Sequence, residues 1–381
     1  MREGASPAPP FDGVIAVADG ADHVVGGLRL LERAAFTLAR GGARRILCLG
    51  PRPAGPLRLP TVPITWHVGA IGIPPEWLDA AAPMVLLTDA TTVTDPATIL
   101  ALATAAGPLA LAAPGPGVLW RIDAPTLSGL CWSAAHGAGL EPPMPLPLWD
   151  PPPAALLITA RDAASRDQVE RSLYARLGRT GDGWFTRLVD RRLSLILTRW
   201  LLPTGISPNQ VTIASIAIGI VSGWCFALGT PAAAMIGALC FLASTIIDGC
   251  DGEIARLTFR ESSFGARLDI LGDNLVHLFL FGGIAIGLYR RSTDPAIAAL
   301  GMALIAGVLL AMATVYFCVV RRAPSPAQQA LFDAFASREF AYLLVLLTLA
   351  GRLDWFLWLS AVGTYAFSIG LVVLGRHRPA A

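Results

Sequence analysis

The sequence predicts two dissimilar halves: an α/β half built on a mostly parallel sheet, then an all-α half of six transmembrane helices introduced by an interfacial amphipathic helix. Three observations lead there. Up to about Asp150, short β-rich runs alternate with helical ones, the pattern of parallel strands joined by helices. Beyond Val211 the chain is a succession of apolar runs near the length of a bilayer crossing. Within that apolar region, otherwise poor in acids, stand Asp248, Asp251, Asp269 and Asp273.

The α/β elements follow one another from Phe11. Gly13 to Ala18 reads as a strand, Leu30 to Arg40 as a helix, Arg45 to Leu49 and Met84 to Leu87 as strands, and Pro96 to Ala106 as a helix. Pro142 to Pro153 is a proline-rich joint, and Ala154 to Leu177 reads as a helical linker ending at Gly178. The expected division is 1–150 for the α/β domain, 151–183 for the linker and 184–381 for the membrane domain.

Trp184 to Trp200 places Arg187, Arg191, Arg192 and Arg199 among Leu, Ile, Val and Trp residues, the composition of a helix lying in a membrane interface. Six spans follow, at about 211–228, 232–247, 268–288, 296–320, 340–350 and 355–374. Arginines between 187 and 199, between 256 and 267, and at 321, 322, 338, 376 and 378 would share one side; Arg290, Arg291 and Arg352 would lie on the other. The positive-inside rule then puts both termini, the α/β domain and the aspartates on the cytoplasmic side of the inner membrane.

Composition agrees: the chain is 54% hydrophobic, 15% charged and carries a net charge of +2, with a mean hydropathy of +0.58. Nothing in that balance suits a nucleic-acid partner. Every basic residue is arginine. Cys48, Cys131, Cys225, Cys240, Cys250 and Cys318 form no CxxC pair and read as small hydrophobes, neither a disulfide frame nor a zinc site. The opening MREGASPAPPFDG has no apolar core, so no secretory signal is expected.

An ionised aspartate in hydrocarbon costs about 3 kcal/mol even on the lenient insertion scale, so four of them need cations, water or ligand beside them. At about 100° per residue, Asp248, Asp251, Gly252 and Ala255 share one helix face, and Asp269 and Asp273 share a face of the next. Two such helices facing each other make a carboxylate box. A set of oxygen ligands alone suits Mg²⁺ or Mn²⁺ better than zinc. Gly252, Ala255 and Gly265 lack bulk, which lets a helix or a nucleotide come close to the backbone.

The spacing Asp248-x-x-Asp251-Gly252-x-x-Ala255-Arg256, then Gly265, Asp269 and Asp273, resembles the signature of the CDP-alcohol phosphotransferase (CDP-alcohol phosphatidyltransferase) family, with every fixed position met over roughly the C-terminal half of the chain. The resemblance implies a membrane enzyme of phospholipid or phosphodiester synthesis, moving a phosphatidyl or phospho-alcohol group from a CDP-linked lipid or alcohol donor to a hydroxyl acceptor and releasing CMP. It implies two Mg²⁺ or Mn²⁺ ions on Asp248, Asp251, Asp269 and Asp273, with Asp273 also the base for the acceptor hydroxyl. Gly252, Ala255, Arg256 and Gly265 would contact the CMP portion, and a homodimer among membrane lipids is expected.

Ser207-Pro208-Asn209-Gln210-Val211-Thr212 resembles the PNxxT element of the same family. Capping of a helix accounts for Ser207 and Pro208 but leaves Asn209 and Thr212 unexplained, and the resemblance adds a nucleotide contact to these two. His277, one turn beyond Asp273, reads as a polar neighbour packed between helices. Arg321, Arg322 and Arg338 are candidates to hold a phosphorylated polyol acceptor, although positive-inside topology accounts for arginines there too. A second class of function, a metal-ion or solute transporter with the aspartates as permeation site, shares the carboxylates but has no use for Gly252, Ala255, Arg256 and Gly265.

The first half resembles a sugar-phosphate nucleotidyltransferase in GGLRLLERAAFTLARGGARRILCLG and in Leu86-Leu87-Thr88-Asp89 followed by Thr94-Asp95-Pro96. Gly181 to Arg187 resembles the junction in bifunctional inositol-phosphate cytidylyltransferase/di-inositol-phosphate phosphate synthases. The glycine-rich phosphate loop is replaced by Val17-Ala18-Asp19-Gly20-Ala21-Asp22, and Arg29 is the only nearby substitute for the expected lysine. Two added acids repel a triphosphate. The expectation is a catalytically degenerate cytidylyltransferase-like module that serves regulation, substrate handling or assembly.

Overall fold

The computed structural model describes residues 9–17, 19–68, 73–105, 107, 109–111, 118–127, 146–177, 189–321, 324–335 and 339–376. Contacts divide the chain into Met1–Arg176 and Leu177–Ala381.

The first unit contains strands β1 (Phe11–Ala16), β2 (Val24–Val25), β3 (Leu28–Arg29), β4 (Ala43–Leu49), β5 (Ile64–His67), β6 (Met84–Asp89), β7 (Thr92–Thr94), β8 (Leu109–Leu111), β9 (Leu119–Asp123), β10 (Leu148–Trp149) and β11 (Leu157–Thr159). Its helices are α1 (Leu30–Arg40), α2 (Pro75–Asp79), α3 (Pro96–Thr104), α4 (Ala124–Leu127) and α5 (Ala163–Ala175). The sheet runs β10-β8-β9-β6-β1-β4-β5; β1 is parallel to β4 and β6, β4 to β5, and β10 to β8, while β9 runs antiparallel to β6 and β8.

All six residues of β1 and of β6 are buried, as expected of parallel strands covered on both faces. The two-residue period divides them: Phe11, Ile15, Ile46, Cys48, Met84 and Leu86 pack with α1 and α3, and Val14, Leu47, Leu49, Val85 and Leu87 pack with Trp77, Trp120 and Ile122. Gly50 ends β4 at φ +122°, and a Cβ there would lie 2.9 Å from the Val17 carbonyl oxygen, so this crossing admits glycine alone. The stretch read as a linker is structured. β11 pairs antiparallel with β7, α5 buries Val169 and Tyr174, and Glu170 accepts the Gly26 N–H at 3.3 Å. One apolar stripe on α5, too short to register as a domain element, seats it on the first unit.

The second unit is helical: α6 (Arg191–Leu201), α7 (Pro208–Ala227), α8 (Pro231–Leu257), α9 (Ser263–Ser292), α10 (Pro295–Val315), α11 (Pro326–Phe335), α12 (Glu339–Leu349) and α13 (Leu353–Arg376). Five stretches among the described residues are long and apolar enough to cross a membrane: 208–227, 231–257, 263–292, 295–320 and 353–375. The outward faces of these helices expose Ile213, Trp224, Ile236, Met302, Trp358 and Ile369, a surface suited to lipid in a multi-pass membrane protein.

The expected fifth span of six departs from this. It is α12, an 11-residue helix about 16 Å long against a hydrocarbon core of about 30 Å, with Glu339 at its start and Arg352 and Asp354 just past its end.

α8 and α9 overrun the predicted spans instead. Their 27 and 30 residues reach about 40 and 45 Å, longer than a hydrocarbon core of about 30 Å is thick. α7 lies backbone to backbone on α9: a Cβ on Gly283 would strike the Gly223 carbonyl oxygen, and one on Gly287 the Phe226 carbonyl oxygen. Ser222 donates to the Gly237 carbonyl at 2.7 Å and Ser244 to the Ser215 carbonyl at 2.8 Å, tying α7 to α8.

Candidate functional site

The overrunning ends of α8 and α9 carry the acids. A short turn joins them, with Phe259 in the left-handed region at φ 53° and the Ser262 hydroxyl accepting the Gly265 N–H at 3.0 Å to cap α9. That reversal folds Asp269 back beside Asp248 and Asp251. All three are half-buried, and each offers an oxygen within 4.8 Å of the others. Asp273, one turn further along α9, is exposed and lies outside this group.

The start of α7 closes on the same place. Ser207 and Gln210 form a capping box: the Gln210 N–H reaches the Ser207 hydroxyl at 3.3 Å, and the Ser207 N–H reaches Gln210 Oε1 at 2.9 Å. With the helix start fixed, Thr212, 3% exposed, donates its hydroxyl to Asp251 Oδ2. Asn209 packs over Gly265, where a Cβ would sit 2.9 Å from Asn209 Oδ1. A side chain larger than hydrogen at 265 would displace Asn209. Gly252, Ala255 and Arg256 are half-buried on α8.

His277 places Nδ1 2.6 Å from the Asp273 carbonyl oxygen, with its ring among Phe241, Phe281 and Phe340 at centroid distances of 6.3, 6.0 and 5.6 Å. Arg321 is exposed beyond α10, its guanidinium 6.0 Å from the Tyr316 ring centroid. Arg322, Arg338 and the segment Gly181–Arg187 lie outside the described residues.

Sequence reasoning missed two features. The first is the bond from Thr212 to Asp251, whose only sequence trace was an uncapping polar residue inside PNxxT. The second is Glu253, an acid two residues past Asp251 that is 3% exposed and faces away from the aspartates.

The first unit's candidate residues are committed to internal bonds. The parallel register pairs Ala16 with Asp89, so the loop after β1 and Asp89 share one end of the sheet. Yet Asp89, 4% exposed, accepts from the Thr91 N–H at 2.8 Å, the Thr91 and Thr92 hydroxyls at 2.6 and 2.8 Å, and the Val118 N–H at 3.1 Å. Four donors occupy most of what a carboxylate can accept. Arg29 donates to Asp22 at 3.2 Å and to the Ala54 carbonyl at 2.8 Å.

Residues 205–369 match the family model described as CDP-alcohol phosphatidyltransferase. A stretch of 143 residues is 30% identical to the bifunctional IPC transferase and DIPP synthase of Archaeoglobus fulgidus, covering 36% of this chain and 28% of that protein. Another, of 85 residues, is 41% identical to the CDP-diacylglycerol–glycerol-3-phosphate 3-phosphatidyltransferase of Rickettsia bellii, covering 22% of this chain and 45% of that one. Among solved structures, a Mycobacterium tuberculosis phosphatidylinositol phosphate synthase with CDP-DAG bound is 17% identical over 49% of this chain and 92% of its own, with a TM-score of 0.34. Residues 205–369 are thus similar to that family, and the chain spans less than half the length of these curated relatives.

Proposed function

We propose that this chain is an integral membrane transferase that moves a phosphatidyl or phospho-alcohol group from a CDP-activated donor to a hydroxyl acceptor, releasing CMP. The observation that carries the reading is the convergence of Asp248, Asp251 and Asp269 within 4.8 Å, inside a domain of the matching family. At that distance each ionised pair repels by about 3 kcal/mol at an effective dielectric of 20. A set of three oxygen donors with that repulsion suits a hard divalent cation.

Two Mg²⁺ or Mn²⁺ ions, when bound, would neutralise the diphosphate of the donor and polarise its phosphorus. Asp248, Asp251 and Asp269 would hold them, with Asp273 completing the set. Asp273, exposed and one turn beyond Asp269, would also approach the acceptor hydroxyl and take its proton as the new P–O bond forms and the bond to CMP breaks. Gly252, Ala255, Arg256, Gly265, Asn209 and Thr212 line the approach of the nucleotide, Arg256 pairing with phosphate oxygens. Arg321, with Arg322 and Arg338, is placed in sequence to hold a phosphorylated polyol.

We read α12 as a short sixth crossing and α6 as lying in the interface, its apolar residues Leu193, Ile196 and Trp200 exposed. With arginines dominating one side, the site and the first unit face the cytoplasm. The first unit is a degenerate cytidylyltransferase-like module, because Asp89 and Arg29 are already engaged. The test is purified full-length protein in lipid nanodiscs, given CDP-diacylglycerol or CDP-inositol and a panel of acceptors including inositol phosphate and glycerol phosphate. CMP release that requires Mg²⁺ or Mn²⁺ is expected; no CMP with any pair overturns the reading.

A further inference from the structure

α6 is fastened to α8 by a buried polar bracket on the far side from the aspartates. Glu253 Oε1 accepts the Ser194 hydroxyl at 2.7 Å, and Oε2 accepts the Thr198 hydroxyl at 2.7 Å. Glu253, Ser194 and Thr198 are 3%, 4% and 0% exposed. Ser194 and Thr198 stand four residues apart, one turn of helix, so their hydroxyls present two parallel donors to the two oxygens of one carboxylate. One turn earlier on α8, the Cys250 thiol lies 3.5 Å from the Ser194 carbonyl oxygen. Leu197, Leu201, Ile247 and Ile254 close an apolar shell around these contacts.

The bracket has a second anchor. Asp190, one turn before Ser194, accepts the Tyr342 hydroxyl of α12. The stripe Asp190, Ser194 and Thr198 is therefore polar and buried, while Leu193, Ile196 and Trp200 are exposed. Apolar contact alone would hold α6 against α8 at many angles; paired hydrogen bonds admit few.

We propose that Glu253 is a positioning residue for the carboxylate site, an inference that rests on the metal-binding reading above. About 200° separates Glu253 from Asp251 around the helix axis, so Glu253 faces away from the aspartates and acts by fixing the roll of α8. A roll of about 20° carries a carboxylate about 6 Å from the axis through about 2 Å, well beyond the roughly 0.5 Å tolerance of a working constellation. Ser194 and Thr198 thereby let α6 set where Asp248 and Asp251 stand opposite Asp269.

The experiment follows Mn²⁺ binding to full-length protein in nanodiscs by loss of the free-ion electron paramagnetic resonance signal, alongside thermal unfolding. Glu253→Ala and the double variant Ser194→Ala/Thr198→Ala are each expected to raise the Mn²⁺ half-saturation concentration at least about 10-fold. The triple variant should add nothing further, because one bracket is removed either way. Glu253→Gln should stay within about 3-fold of wild type, since a hydroxyl can accept from the amide and both contacts persist. A bracket that only glues helices would lower the melting temperature and leave half-saturation of the folded protein unchanged, which overturns the proposal, as does a triple variant whose losses multiply. Should Glu253→Ala fail to fold, the hydroxyl variant carries the same expectation. Wild-type protein that never saturates with Mn²⁺ overturns the metal reading and this inference together; saturable wild type with unchanged variants overturns the inference alone.

Discussion

Thr212 separates two kinds of role at one residue. Its hydroxyl donates to Asp251, and a hydrogen bond to a charged partner contributes about 1.5–3 kcal/mol. Thr212→Val keeps the shape and removes the donor, so the Mn²⁺ half-saturation should rise about 10-fold by titration. A hydroxyl serving the nucleotide alone would raise the KM for the donor and leave Mn²⁺ binding unchanged. Asp273→Asn divides differently: standing outside the group of three, it should lower kcat at least about 100-fold by CMP assay while weakening Mn²⁺ binding less than Asp251→Asn, which should lose both. Cys48 offers a third residue-level test. Burial disfavours the thiolate and pushes its pKa from 9.0 up to about 12, so at pH 9 a folded chain holds about one thousandth of Cys48 as thiolate where an unfolded one holds half. Iodoacetamide at pH 9 should therefore spare Cys48 until the protein is denatured, as read by peptide mass.

Among the elements, α7 and α9 meet where glycine leaves no side chain between them. Gly283→Ala places a methyl group against the Gly223 carbonyl, and such overpacking costs about 1–3 kcal/mol. Thermal unfolding in nanodiscs should show a lower melting temperature, with Mn²⁺ half-saturation moving less than in Thr212→Val. Legibility in the sequence follows the same physics. Helix α1 was readable to the residue because its apolar period, Glu32 near the start and Arg40 at the end agree. The carboxylate group was readable because acids in an apolar stretch demand a cause. The overrun of α8 and α9 was not, since hydropathy marks where hydrocarbon ends and says nothing of where a helix ends. β8 and β10, with three and two residues, are too short for a period to show. α12, expected at 340–350, is the 11-residue helix Glu339–Leu349, because apolar composition marks such a segment whatever its length. Thr212 and Glu253 escaped because their partners lie 39 and 55–59 residues away, a separation that no local pattern records.

At the scale of the whole molecule, every carboxylate of the proposed chemistry belongs to the unit that begins at Leu177, and so do the residues expected to meet the nucleotide. The first unit holds its own core on both faces of a seven-stranded sheet. Its one acid in a catalytic-looking position, Asp89, is spent on four donors, and Arg33, 3% exposed, turns inward to the Val25 and Gly26 carbonyls. Burial lowers the Arg33 pKa to about 10, still far enough above neutrality to keep it charged and bound. Residues this committed can bind or regulate but are poorly placed to grip a triphosphate. A chain truncated to residues 177–381 should therefore retain divalent-dependent CMP release in nanodiscs, with kcat within about 3-fold of the full chain. Asp89→Asn in the full chain should leave CMP release unchanged while lowering the stability of the first unit, because an amide nitrogen placed against four donors satisfies fewer of them. A truncated protein that folds, binds Mn²⁺ like the full chain and yet releases no CMP would place part of the reaction in the first unit, and the degenerate reading of that unit would fall.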